Sequence, residues 1–175
     1  MKLSKAERLI LANQFELLSM KDNNYLSKET CENYSTILLQ GYELLYDDIF
    51  SGMDETVSSE KCRFALDVLN MYRIISSSYS NLESTSLTEE DIAFRGFDGN
   101  NEEEYHFVKF FINDMNRFKD LMENEFMEFN SHSISIPRYQ RELDIYNDII
   151  SYKKEENRFG RLSLTEKEIS NILSV

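Results

Sequence analysis

The residue types that could do chemistry gather in one short stretch, FRGFDGNNEEEYHFV (94–108), which holds two glycines, two asparagines, an acidic triplet and one of the two histidines of the chain. Glu103 and His106 form a Glu-x-x-His pair, the spacing that puts a carboxylate and an imidazole on one helix face, as di-iron bundles require. Those bundles need a second such pair and two more inward carboxylates; the other histidine, His132, has Phe129 three positions before it. Asp98, Asn100 and Glu102 alternate like the start of a calcium loop, but Glu103 and Lys109 stand where such a loop needs Gly and Glu. Gly96 and Gly99 do not make the dinucleotide-binding glycine pattern. His106 and Lys109 have the His-x-x-Lys spacing of phosphotransfer bundles, with Phe110 filling the place where those leave room for the phosphoryl group. The plain reading is a glycine turn, an Asn101 cap and an acidic first turn that favours a helix N-terminus. Arg95 and Asp98 are what that helix start does not explain, and they are candidate ligand- or partner-binding residues. The simpler alternative is that Asp98 accepts backbone hydrogen bonds in the turn and pairs with Arg95.

No other constellation points to catalysis. Cys31 and Cys62 fall on apolar helix stripes, where cysteine serves as a small hydrophobe. The serines lack any activating arrangement. Neither a metal nor another cofactor is expected, and the chain reads as non-enzymatic.

The elements that must carry these residues are helical. Five glycines and one proline in 175 residues leave long stretches without a breaker. Apolar periodicity predicts a first helix over 4–20 and a second that begins after Ser27, carries Cys31, Tyr34, Leu38, Tyr42, Leu45 and Ile49 on one face, and stops at Gly52. A third opens at Ser58 or Ser59 and frays in the polar run 76–86. SLTEEDI (86–92) and SLTEKEI (163–169) share one cap design, with Thr88 and Thr165 as N-caps and an acid three residues on, so two short helices are expected there. Residues 102–129 carry helical spacing throughout, but an unbroken helix of that length would be about 42 Å long and must bend, break near Lys119 or lie along an oligomer interface. Pro137 sits in the opening turn of the next helix, and a terminal helix covers 166–174. Only the IAF and SIS pieces hint at strands. The expectation is an all-α, multihelical single domain over 1–175, with five main helices, one or two short ones and no substantial sheet.

The net charge of −13, from 32 acidic and 19 basic residues, opposes binding to nucleic acid backbones and anionic membranes. The densest basic stretch, Lys153, Lys154, Arg158 and Arg161, is interrupted by Glu155 and Glu156. The N-terminus lacks the apolar core of a signal peptide and no apolar run approaches a membrane span, so a cytoplasmic protein with reduced thiols is expected.

ERLILANQ (7–14), CRFALDVLNMYR (62–73), FRGFDGNNEEEYHFVKF (94–110), FNSHSISIPRYQREL (129–143) and LTEKEISNIL (164–173) together, in chain order, resemble the YfbU family of bacterial and archaeal proteins. The resemblance implies a multihelical fold. Some relatives carry a fused DNA-binding segment, which implies a regulatory or ligand-sensing part; here the first helix begins almost at Met1, so no DNA targeting is expected. The resemblance also singles out Asn130, Ser131, His132 and Ser133. Read alone, Asn130 is a left-handed helix stop and the serines are loop residues; the functional alternative is that Asn130 and His132 bind a ligand or a partner subunit. That loop and FDGN flank the long helix, so they meet only if the helix breaks or across a symmetric antiparallel pair of chains. The functional expectation is a regulatory or protein-interaction protein that self-associates, with a small-molecule-sensing module as the alternative.

Overall fold

A computed structural model describes residues 2–22, 25–53, 55–156 and 162–174. Among these are seven α-helices and no strand: α1 (Lys5–Ser19), α2 (Lys28–Gln40), α3 (Tyr46–Phe50), α4 (Ser59–Tyr79), α5 (Glu104–Asn113), α6 (Ile136–Glu156) and α7 (Glu166–Leu173). The fold is all-α, as expected, and none of these helices is long and apolar enough to cross a membrane. Five helices have ten or more residues and two are shorter, although the short ones are not all where the sequence put them.

The chain divides into two compact units, Met1–Thr56 and Val57–Val175. In the first, Ser4 caps α1 through a reciprocal capping box with Glu7, and Ser27 caps α2 by accepting from the Thr30 amide at 3.0 Å. Ala12, Leu38 and Tyr46 form its small core. The second helix does not run on to Gly52. It stops at Gly41, which takes φ 74°, and the Arg8 guanidinium donates to the Leu38 carbonyl at 3.3 Å beside it. A left-handed glycine is a strong helix stop because it has no Cβ penalty there, and it outweighed the continued apolar spacing. Tyr42 and Leu45, beyond that stop, are partly or largely exposed.

The second unit holds the main core, in which α4 packs with α5, α6 and a 3-10 turn, and α6 with α7. Ser58 is the N-cap of α4, and the helix continues to Tyr79 before the polar run ends it. At its centre Tyr72, Phe94, Phe97 and Tyr139 stack and meet edge to face, with ring centroids 5.1–5.9 Å apart. Two of these aromatics come from FRGF, so the stretch read as a turn is also a core segment. It stays extended because its backbone groups find partners there. Phe97 N–H donates to the Phe129 carbonyl, Ser131 N–H to the Phe97 carbonyl and Glu128 N–H to the Phe94 carbonyl, all at 3.0–3.1 Å. The buried Tyr139 hydroxyl donates to the Gly96 carbonyl at 2.8 Å. Gly96 has φ 76°, and a Cβ there would overlap the Phe129 carbonyl group, so both conformation and close approach require glycine.

This pairing is possible because 102–129 is not one helix. α5 ends at Asn113, Asn116 and Phe118 adopt positive φ, and a 3-10 turn follows over Lys119–Glu123. Asp114 and Asn116 are poor helix formers, while Phe118 is held by packing on Phe111 and under the Arg73 guanidinium. The chain therefore turns back, and FDGN and NSHS meet within one chain at a Phe97–Asn130 bridge. Two further expectations are corrected. Thr88 and Asp91 do exchange capping hydrogen bonds, but only a turn follows; the SLTEK box at Thr165 does open α7. Their echo places them in contact, since Ser86 N–H donates to Glu166 at 2.8 Å. Arg158 and Arg161 of the basic stretch lie outside the described residues.

Glu102 fastens this arrangement. Its buried carboxylate accepts from Asp98 N–H (2.7 Å) and Ser135 Oγ (2.6 Å) on Oε2, and from Ser135 N–H (2.7 Å) and Ile136 N–H (2.8 Å) on Oε1. It thus caps α6 from 33 residues away, and an anion there also complements the helix dipole. In Glu102→Gln one oxygen becomes an NH2 group facing donors. A loss of about 2–4 kcal/mol in denaturant unfolding is expected, because two buried donors lose a charged acceptor. An unchanged midpoint would deny the carboxylate this role.

Candidate functional site

The residues singled out in the sequence separate into two places in the second unit. Asp98, Asn130 and His132 belong to the knot where the two loops meet. The Asp98 carboxylate accepts from the Asn101 side chain at 2.6 Å and from Asn100 N–H at 2.9 Å, and these bonds, the first above all, hold its pKa below the usual carboxylate range. Asn130 Oδ1 accepts from Gly99 N–H (3.1 Å) and His132 N–H (2.9 Å). Asn130 is therefore a loop tie, and the left-handed residue is His132, with φ 54°. Asn101 is not the α5 cap, since that helix starts at Glu104.

Arg95 points elsewhere. Its partners are the Glu90 carboxylate (3.2 Å), Glu128 (3.8 Å) and the carbonyls of Glu90 and Phe126, not Asp98. Phe94 and Phe97 both enter the core because Gly96, at φ 76°, turns the backbone between them, and Arg95 is left at the rim. There it lines a cleft of about 330 Å³ with Glu128, Ser131, Ser133, Ile134, Ser135 and Arg138. Arg95 and Arg138 also line an adjoining depression of about 290 Å³, whose other walls include Tyr72, Glu90, Asp91, Glu142 and Leu173.

The first turns of α6 deliver the chemistry. Arg138, Tyr139 and Glu142 are spaced so that Tyr139 and Glu142 enter the core beside Tyr72 of α4. The Tyr72 hydroxyl donates to Glu142 Oε2 at 3.0 Å. Arg138 Nε lies 3.6 Å from Glu142 Oε1, close enough for an ion pair but too far for a hydrogen bond. The guanidinium lies over the Tyr139 ring, 4.6 Å from its centre. Its Nε and Nη2 are buried and, among the described residues, have no hydrogen-bond partner. Glu142 is 2% exposed, and burial pushes its carboxyl up to about 7 against the pull of Arg138 and the Tyr72 hydrogen bond. Burial likewise raises the Tyr72 and Tyr139 hydroxyls.

The serine hydroxyls of this rim are engaged. Ser131 Oγ donates to the Ser133 carbonyl at 2.6 Å, Ser133 Oγ to the Ser131 carbonyl at 3.3 Å, and Ser135 Oγ to Glu102. Among the described residues no group of three His, Cys, Asp or Glu side chains is placed to hold a metal ion. The cleft is lined by two arginines, one of which, Arg138, holds two buried donors without a hydrogen-bond partner among the described residues, and a buried carboxyl lies behind it.

Sequence reasoning found Arg95 but missed Arg138, Glu142 and Glu102. A signal existed for Glu142: it lies three residues after Tyr139 and one before Leu143, on the apolar face of α6, where a carboxylate is out of place. No local signal marks Glu102 as a tertiary tie, because apart from the Asp98 amide the groups it binds lie 33 and 34 residues away.

Fold and cleft define an all-α protein with an arginine-lined cleft beside a buried carboxyl. The YfbU domain family matches residues 1–175. The chain is also similar to UPF0304 protein MJECS11 of Methanocaldococcus jannaschii, 32% identical over 164 residues that cover 88% of this chain and 95% of that protein. The chain belongs to the YfbU family.

The raised Glu142 carboxyl makes stability depend on pH. Its folded value lies above the ordinary 4.5, so the unfolded chain releases this proton first as pH rises. The contribution is undiminished below that value, falls as pH rises towards 7 and levels off above. The full difference is about 3 kcal/mol. Glu142→Gln should remove this decline, so that the variant gains on the wild type by a couple of kcal/mol between pH 5 and 8 in urea unfolding. Parallel pH curves would show that Glu142 titrates normally.

Proposed function

We propose that this protein is a non-enzymatic helical regulatory protein whose sensing element is the cleft between Arg95 and Arg138. The observation that carries this reading is the Arg138 guanidinium, whose Nε and Nη2 are buried with their hydrogen-bonding capacity unused. A buried donor without a partner costs about 1–3 kcal/mol, and a native chain keeps such a cost most readily where a ligand relieves it. The serine hydroxyls facing the cleft are turned to their own loop or to Glu102, which suits a recognition surface better than nucleophilic chemistry. Family relatives with fused DNA-binding segments fit a domain that reports ligand occupancy.

Occupancy of such a site stabilises only the folded chain. A thermal-shift panel of small metabolites at pH 6 should therefore contain members that raise the melting midpoint by several degrees. Arg138→Lys, which keeps the charge and loses the planar fork, should abolish that rise. A panel without a stabiliser, or one whose stabilisers act equally on Arg138→Lys, would sink the reading.

A second reading, self-association, draws on the first unit. Leu9, Ile10 and Leu17 on α1 are each more than half exposed, as are Met20 and Leu44. Apolar side chains gathered this way on a surface mark an interaction site. Light scattering at micromolar concentration should give at least a dimer, and Leu17→Glu should shift it towards monomer; a monomeric wild type would contradict this.

A further inference from the structure

The cleft also specifies what it would hold. This step rests on the sensing role proposed above and names its ligand and its coupling. The charged groups around it carry an excess of carboxylates. Arg95 and Arg138 stand against Glu90, Asp91 and Glu128, with Glu142 behind Arg138. That excess repels a polyanion, whereas a single negative charge can sit between the two guanidinium groups. The Arg fork matches the planar geometry of a carboxylate. Ile134 at the mouth and Ala93 and Leu173 in the adjoining depression offer short apolar contacts. Volumes near 300 Å³ suit a small molecule. The amides opening α6 take no part, because Glu102 already occupies them.

Glu142 competes for the same guanidinium. Its Oε1 lies 3.6 Å from Arg138 Nε, while Oε2 is held by Tyr72. We propose that the cleft binds a small monocarboxylate on Arg138, with Arg95 completing the site, and that this anion displaces Glu142 from Arg138, so that Glu142 takes up one proton from solvent. The groups around Glu142 allow this. They are Tyr72 from α4, Arg138, Tyr139 and Arg141 from α6, and Glu90, Asp91 and Arg95 from the segment before α5. Once Arg138 is shared with a second anion, burial and the Glu90 and Asp91 carboxylates favour a neutral Glu142 against the pull of the Tyr72 hydrogen bond and Arg141. Its carboxyl is already pushed up to about 7 by burial, so the proton is available near neutrality. Tyr72 can then accept from the protonated carboxyl or keep donating to its other oxygen.

Calorimetric titration of the full chain with butyrate tests this, since butyrate stays ionised between pH 6 and 8. Binding at pH 6 should weaken about tenfold at pH 8, with close to one proton taken up per site at pH 8, read from buffers of different ionisation enthalpy. Glu142→Gln should bind butyrate with the same affinity at both pH values, and Arg138→Lys should lose binding at both. Sulfate and phosphate should bind more weakly than butyrate. Butyrate that does not bind, or binds equally at pH 6 and 8 to the wild type, or yields to sulfate, overturns the proposal. The sensing role survives any of these results if another panel molecule stabilises the wild type and not Arg138→Lys.

Discussion

The second unit depends on one carboxylate. Glu102 stands just before α5 and closes the start of α6, so a single side chain ties together the FDGN turn, the serine loop and the first turn of the helix that carries Arg138 and Glu142. Helix N-termini leave amides unsatisfied, and a buried one needs an acceptor from somewhere. Here the acceptor comes from a distant part of the chain, which turns a local requirement into a tertiary link. With that link in place, Phe94, Phe97 and Tyr139 close the aromatic core behind it, and Arg95 is left on the outside of the same segment.

The arginine-lined cleft follows from this geometry. Because α6 begins at a fixed point, its first turns place Arg138 on the rim and Glu142 inside, against Tyr72. Burial then works on the two charges unequally. It pushes the Glu142 carboxyl up to about 7, while the guanidinium stays charged and keeps two donors unused. A hydrogen-bonded pair at full contact would be a structural ion pair. A pair held at 3.6 Å, with the carboxyl able to become neutral, leaves the cation available to something else.

Much of the helical frame was legible in the sequence because its causes are local. Ser27, Ser58 and Thr165 cap the helices that their positions announce, and the stripe Ala65, Leu69 and Tyr72 faces the core. The failures have tertiary causes. Apolar spacing runs through Gly41 and through Asn113–Phe118, but a left-handed glycine and a turn anchored by Phe118 end those helices. Thr88 and Asp91 form cap chemistry without a helix, since the chain must enter the core at Ile92 instead of coiling. Asp98 and Asn130 drew attention as candidate ligand groups and prove to be engaged with neighbouring loop atoms. Arg138 and Glu142 have the spacing of an ordinary surface pair on a helix, and only the apolar neighbours Tyr139 and Leu143 hint that Glu142 is buried.

In the proposed scheme Glu142 and a bound anion compete for Arg138, and reciprocity makes that competition measurable at the carboxyl itself. The side-chain carboxyl carbon of Glu142 can be followed by NMR through a pH titration, with and without saturating butyrate. The account predicts a midpoint near 7 in the free protein and a clear upward shift with butyrate bound. A midpoint near the ordinary carboxyl value, or one that butyrate leaves in place, would contradict it.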